Sequence, residues 1–153
     1  MKIEIRQRSG KREEEGMTED FLHYVWKFRL FNSPGLTTTS GEELVVISPG
    51  IHNHGGGPDF LNARLRIGQQ IWAGHVEIHL KSGDWHQHHH TDDPHYKNVI
   101  LHAVFEEDKE VNLFRPGDLP VLVMAPYIRQ NQVEEWQRWM SSGAWIPCRN
   151  QIH

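Results

Sequence analysis

The chain has 153 residues, 37% hydrophobic and 24% charged, enough for one domain with a core of its own. No apolar run approaches the roughly 20 residues of a membrane span, so no membrane partner is expected. The net charge of -4 excludes a protein that coats nucleic acid through bulk charge; any contact with DNA or RNA must be local or helped by cations.

Residues 1–16 are charged and lack sustained periodicity or the apolar stretch of a signal peptide, and read as a flexible arm ahead of a start at Met17. A short edge strand at Lys2–Arg6 is the other reading. Thr18-Glu19-Asp20 starts a helix, with Thr18 as cap and two acids at the positive end of the dipole. Phe21, Leu22, Val25 and Trp26 give that helix an apolar stripe through Phe31, and Asn32-Ser33-Pro34-Gly35 ends it. A strand is predicted at Leu44–Ser48, followed by a loop over residues 49–58 holding four glycines, His52 and His54.

In the next strand Leu61, Ala63, Leu65 and Ile67 face one way and Asn62, Arg64 and Arg66 the other. Gly68-Gln69-Gln70 turns the chain into Ile71–Lys81. There Val76, Ile78 and Leu80 alternate with His75, Glu77, His79 and Lys81, giving one core face and one polar surface. A polar turn, a short helix near Asp92–Lys97 and a nearly continuous apolar run, Val99–Phe105, follow; such a run suits a strand buried on both faces. The tail carries a strand at Val121–Met124 and a helix over Gln130–Met140 that Gly143 ends. Residues 129–153 read as that helix and the start of a further, truncated region. The order predicts an α/β (α+β sandwich) fold with a mixed central sheet flanked by helices, and a core domain over residues 17–128.

Asp59 of Pro58-Asp59 opens one strand of the predicted hairpin and Glu77 lies on its partner, so the two carboxylates can converge at one end of the sheet. Paired carboxylates hold Mg2+ or Mn2+ through oxygen, and a neighbouring cation or base, His79 or Lys81, can orient a water for phosphodiester hydrolysis. Histidine is frequent, with 12 in the chain. His52 with His54, and His88 with His90, are spaced to face one side of extended backbone, which leaves a Zn2+ site as an alternative. Asp84 and His102 are further candidates.

The order of elements resembles the PD-(D/E)XK nuclease-like superfamily, whose restriction-endonuclease-like core runs αβββαβ. The resemblance implies metal-binding roles for Asp59 and Glu77, and a helix acid at Glu19 or Asp20. Glu77-Ile78-His79 stands where that superfamily has Glu-X-Lys, so His79 replaces the lysine or Lys81 supplies the amine from about 6.6 Å along the strand. More closely, GGGPDF, AGHVEIH, SGDW and VILHAVF resemble a bacterial family of unknown function, over about Thr18 to Ala125 and including Asp84, Trp85, His88, His90, Tyr96 and His102.

Plainer roles stand beside each of these. Asp59 can cap a turn, Glu77 can pair with Arg64 or Arg66 across the hairpin, and His79 and Lys81 can be solvated. Asp84-Trp85 can cap a turn and bury an indole. His102, inside an apolar strand, reads as a core histidine, able to orient a catalytic group if its strand neighbours Glu77. The three glycines 55–57 lack the Gly-Lys-Ser/Thr ending of a phosphate loop. The single cysteine, Cys148, cannot form an internal disulfide and follows a proline near the chain end, in keeping with a cytoplasmic protein and not with a cysteine nucleophile. The expected function is metal-dependent phosphodiester hydrolysis on DNA or RNA, with a non-catalytic binding module and a zinc-dependent hydrolase as alternatives. The sequence specifies no oligomeric state.

Overall fold

A computed structural model describes residues 17–87, 93–108 and 119–143. The Lys2–Arg6 segment, His88, His90 and the chain beyond Gly143 lie outside the described residues.

Helix α1 spans Glu19–Phe28. The Thr18 hydroxyl accepts the Phe21 N–H at 3.2 Å, satisfying one of the amides a helix start leaves unpaired. The helix ends three residues before Phe31, where Arg29 turns left-handed at φ 54°. Its apolar stripe (Phe21, Leu22, Val25, Trp26) is buried as expected. Each such side chain contributes about 1.5–3 kcal/mol by leaving water.

Among the described residues seven strands form one mixed sheet: β1 (Leu36–Thr37), β2 (Glu43–Ser48), β3 (Ile51–His52), β4 (Phe60–Ile67), β5 (Gln70–Lys81), β6 (Val99–Glu106) and β7 (Val121–Val123). The order is β1-β2-β4-β5-β6-β7, with β3 beside β4. Pairing is antiparallel from β1 to β5 and parallel from β5 to β7. Between β5 and β6 the chain makes a four-residue helix α2 (Asp84–Gln87) and a 3-10 turn (Pro94–Tyr96). The short helix expected near Asp92–Lys97 corresponds to the 3-10 turn. Helix α3 covers Gln130–Ser142 and ends at Gly143, φ 61°. Among the described residues no helix is long and apolar enough to cross a membrane.

Among the described residues two apolar clusters pack against the sheet. The larger joins α1 and Val133 of α3 to Phe60, Val76, Ile78, Leu101 and Leu122. The smaller, on the crossover side, holds Trp85, Val99 and Leu119 with Tyr96 packed against it. Val76 and Ile78 face the core as the alternation predicts. Strand β4 departs from its predicted pattern at its start. Asn62 adopts φ 56° and the register with β5 shifts between Phe60 and Ala63, so Phe60 is fully buried and Leu61 is not.

Candidate functional site: two carboxylates at the end of strand β4

Antiparallel pairing of β4 with β5 begins at Phe60 opposite Val76. Asp59 sits just outside that pair, and its Oδ2 accepts the Ile78 N–H at 2.8 Å. The carboxylate thus continues the ladder where β4 stops, and this holds it beside Glu77. The loop before it is folded around Asn53, whose side-chain amide donates to the carbonyls of Gly56 and Pro58 at 2.9 Å each. The Asp59 carboxylate is therefore not a turn cap.

The Asp59 and Glu77 carboxyls lie close enough for each to act on the ionisation of the other. Glu77 is 5% exposed, while the Asp59 side chain keeps 20% exposure, so the pair opens to solvent on the Asp59 side. Burial, and then the charge of Asp59, push the Glu77 carboxyl up to about 10. Burial acts on Asp59 in the same direction, but the nearby His23 side chain and the Ile78 N–H outweigh it and hold Asp59 below the usual carboxylate range. Two carboxylates this close cannot both ionise easily, and the pair keeps one proton at neutral pH.

His23 is a functional candidate that the sequence reading missed. It lies one helical turn after Glu19 on α1, and its Nε2 is 3.4 Å from Asp59 Oδ1. Burial lowers its pKa, but the nearby Asp59 carboxylate and the charges of Glu19 and Asp20 raise it above the ordinary histidine value. The Glu19 charge also acts on Glu77, which places the expected helix acid within electrostatic range of the pair. The i, i+4 spacing of Glu19 and His23 was a legible signal, since both project from one side of a helix.

His52 packs between His23, 5.0 Å between ring centroids, and Phe60, stacked at 4.7 Å. His54 is exposed, its ring 4.1 Å from that of His52. Burial, and then the basic side chains around it, lower the His52 pKa. Tyr96 closes the other side; burial and then the charges of Glu77 and Asp59 raise its pKa far above the usual phenol.

Three expectations need correction. The Glu77 and His79 face is enclosed rather than a polar surface, because the crossover packs over it. Lys81 has the same strand parity but lies past that cover, and its side chain is exposed. Arg66 bonds to Gly68 and pairs with Glu43, so it is not the cross-hairpin partner of Glu77. Asp84 opens α2 and accepts the Lys81 N–H at 3.2 Å, a local turn contact. His79 and His102 meet beneath Trp85, their Nδ1 and Nε2 atoms 2.8 Å apart. The register sets His102 opposite Glu77, the neighbouring placement under which it was expected to orient another group.

Among the described residues no three His, Cys, Asp or Glu side chains form a group able to hold a metal by themselves. Two carboxylates suit Mg2+, which keeps several waters and takes substrate phosphate as further ligands.

Comparison with curated proteins and with solved structures finds no match. A family model described as "Protein of unknown function (DUF2851)" matches residues 19–153, which include every candidate above, and the chain belongs to that family.

Proposed function

We propose that Asp59 and Glu77 together hold a divalent cation, Mg2+ or Mn2+, and that the site hydrolyses a phosphodiester of DNA or RNA. The observation that carries this reading is the placement of the Asp59 carboxylate against buried Glu77 through the Ile78 N–H. Hard oxygen donors from two adjacent strands fit such a cation, whose charge replaces the shared proton. When bound, the cation supplies a Lewis acid for a phosphoryl oxygen and acidifies a bound water.

The side chains divide the remaining work. Asp59, held below the usual carboxylate range and open to solvent, would supply one oxygen ligand, and Glu77 would supply the second in its deprotonated form. His23, its pKa raised beside Asp59, stands at the open side, where in its protonated form it can offset developing charge on phosphate or pass a proton. It takes the part that the superfamily resemblance gives to a lysine, since Lys81 is in solvent and His79 is enclosed. The exposure of Lys81 also favours a second reading, a binding module of the same fold without chemistry.

The test is cleavage of labelled single- and double-stranded DNA and RNA by the full chain in EDTA, Mg2+, Mn2+ or Zn2+. Wild type is compared with Asp59→Asn and Glu77→Gln. The expected result is cleavage in Mg2+ or Mn2+ that falls at least about 100-fold in both variants while the fold survives. A folded wild type that cleaves nothing with any metal overturns hydrolysis and leaves the binding module. Activity with Zn2+ alone would move the site to the histidines.

A further inference from the structure

Strand β6 is apolar along most of its length, yet it carries a completely buried histidine at its centre. His102 and His79 are 0% and 1% exposed. A buried imidazole is costly unless its nitrogens are hydrogen-bonded, and an aliphatic pair of similar volume would fill this space without that requirement.

The two rings lie in line with Glu77. His79 Nδ1 lies 2.8 Å from His102 Nε2, and His79 Nε2 lies 3.4 Å from Glu77 Oε1. Trp85 lies over His102 with ring centroids 5.1 Å apart, and Tyr96 meets Trp85 edge-on at 6.0 Å. Trp85 therefore covers His102, and the contact at Nδ1 sets which edge of the His79 ring faces His102. With that edge toward His102, Nε2 points at Glu77.

We infer that His102 is a positioning residue that holds Glu77 against Asp59, acting through His79. This rests on the cation reading of Asp59 and Glu77 proposed above. Groups that orient a metal ligand by hydrogen bonding typically change metal affinity or activity 10–100-fold when lost. The same range is expected here, although His102 touches neither cation nor substrate.

The experiment measures Mn2+ affinity of the full-length wild type, His102→Phe, His102→Gln and Asp59→Asn by calorimetric titration. Phenylalanine keeps a ring beneath Trp85 but removes the nitrogen; glutamine keeps a hydrogen-bonding group that can reach His79. The expected result is a roughly 10–100-fold weaker Mn2+ affinity in His102→Phe, with most of it recovered in His102→Gln. A purely structural role would change stability in both variants and leave the affinity of the folded protein alone. Wild-type affinity in folded His102→Phe, with binding lost in Asp59→Asn, overturns the inference and spares the cation reading. A wild type that binds no Mn2+ overturns both.

If His102→Phe does not fold, long-range proton–nitrogen spectra of the wild-type imidazoles decide. Mg2+ should shift the ring nitrogens of His79 and His102 together. A shift confined to residues outside this pair would overturn the inference.

Discussion

Replacing Glu77 by Gln should make the protein more stable at neutral pH while removing its proposed activity. In the folded chain the Glu77 carboxyl titrates near 10, against 4.5 for the free side chain. Between those values the unfolded chain has lost a proton that the folded chain keeps, so stability falls as pH rises, by about 1.4 kcal/mol per pH unit. At pH 7 the accumulated cost is about 3 kcal/mol. The side chain is only 6% exposed, so solvent screening takes little from this figure. Glutamine has nearly the same shape, donates to Asp59 in place of the acid proton, and does not titrate. Urea unfolding in EDTA at pH 5, 7 and 8.5 measures the difference between the two proteins, in which their other groups cancel. The advantage of Glu77→Gln should be small at pH 5 and grow toward alkaline pH. Parallel stability curves for the two proteins would refute the argument, because they would mean that Glu77 is ionised in the folded chain.

Two other substitutions probe the surroundings of the pair. His23 has a raised pKa, so its contribution is fully present below about pH 6.5 and is lost as pH rises through its folded value. His23→Gln should therefore destabilise more at pH 5.5 than at pH 8.5, checked by the same unfolding assay. Gly74 lies where β5 passes the chain entering β6; an added Cβ would sit 2.5 Å from the Asn98 carbonyl oxygen and 2.5 Å from Ile100 Cγ2. Gly74→Ala should cost about 1–3 kcal/mol, read from its urea midpoint, through displacement of the backbone next to the site.

Much of the scaffold was legible because its periodicities are local. The α1 stripe, the Val76/Ile78 alternation and the Gly143 stop each depend on neighbours within a few residues, and all three appear in the fold. Pro58-Asp59 and Glu77 were brought together correctly because a two-residue turn fixes the β4–β5 register, from Ile67 opposite Gln70 back to Phe60 opposite Val76. The irregularity inside that register, at Asn62, has no local signature and moved Phe60 rather than Leu61 into the core. Whether the Glu77 face is wet or dry depends on Trp85, Tyr96 and Leu119, which arrive from the crossover and from the chain before β7. Alternation alone sets parity, not cover, so Glu77, His79 and Lys81 looked equivalent, yet only Lys81 is exposed. His23 lies outside the α1 apolar stripe, and only the tertiary fold brings it within 3.4 Å of Asp59.

The most direct test of the carboxylate pair is calorimetric titration of Mn2+ into the wild type at pH 7, in two buffers of different ionisation enthalpy. If the cation takes the place of the proton shared by Asp59 and Glu77, about one proton leaves per ion bound, and Glu77→Gln releases none. Binding without proton release, or release that persists in Glu77→Gln, would contradict the assignment of this pair as the cation site.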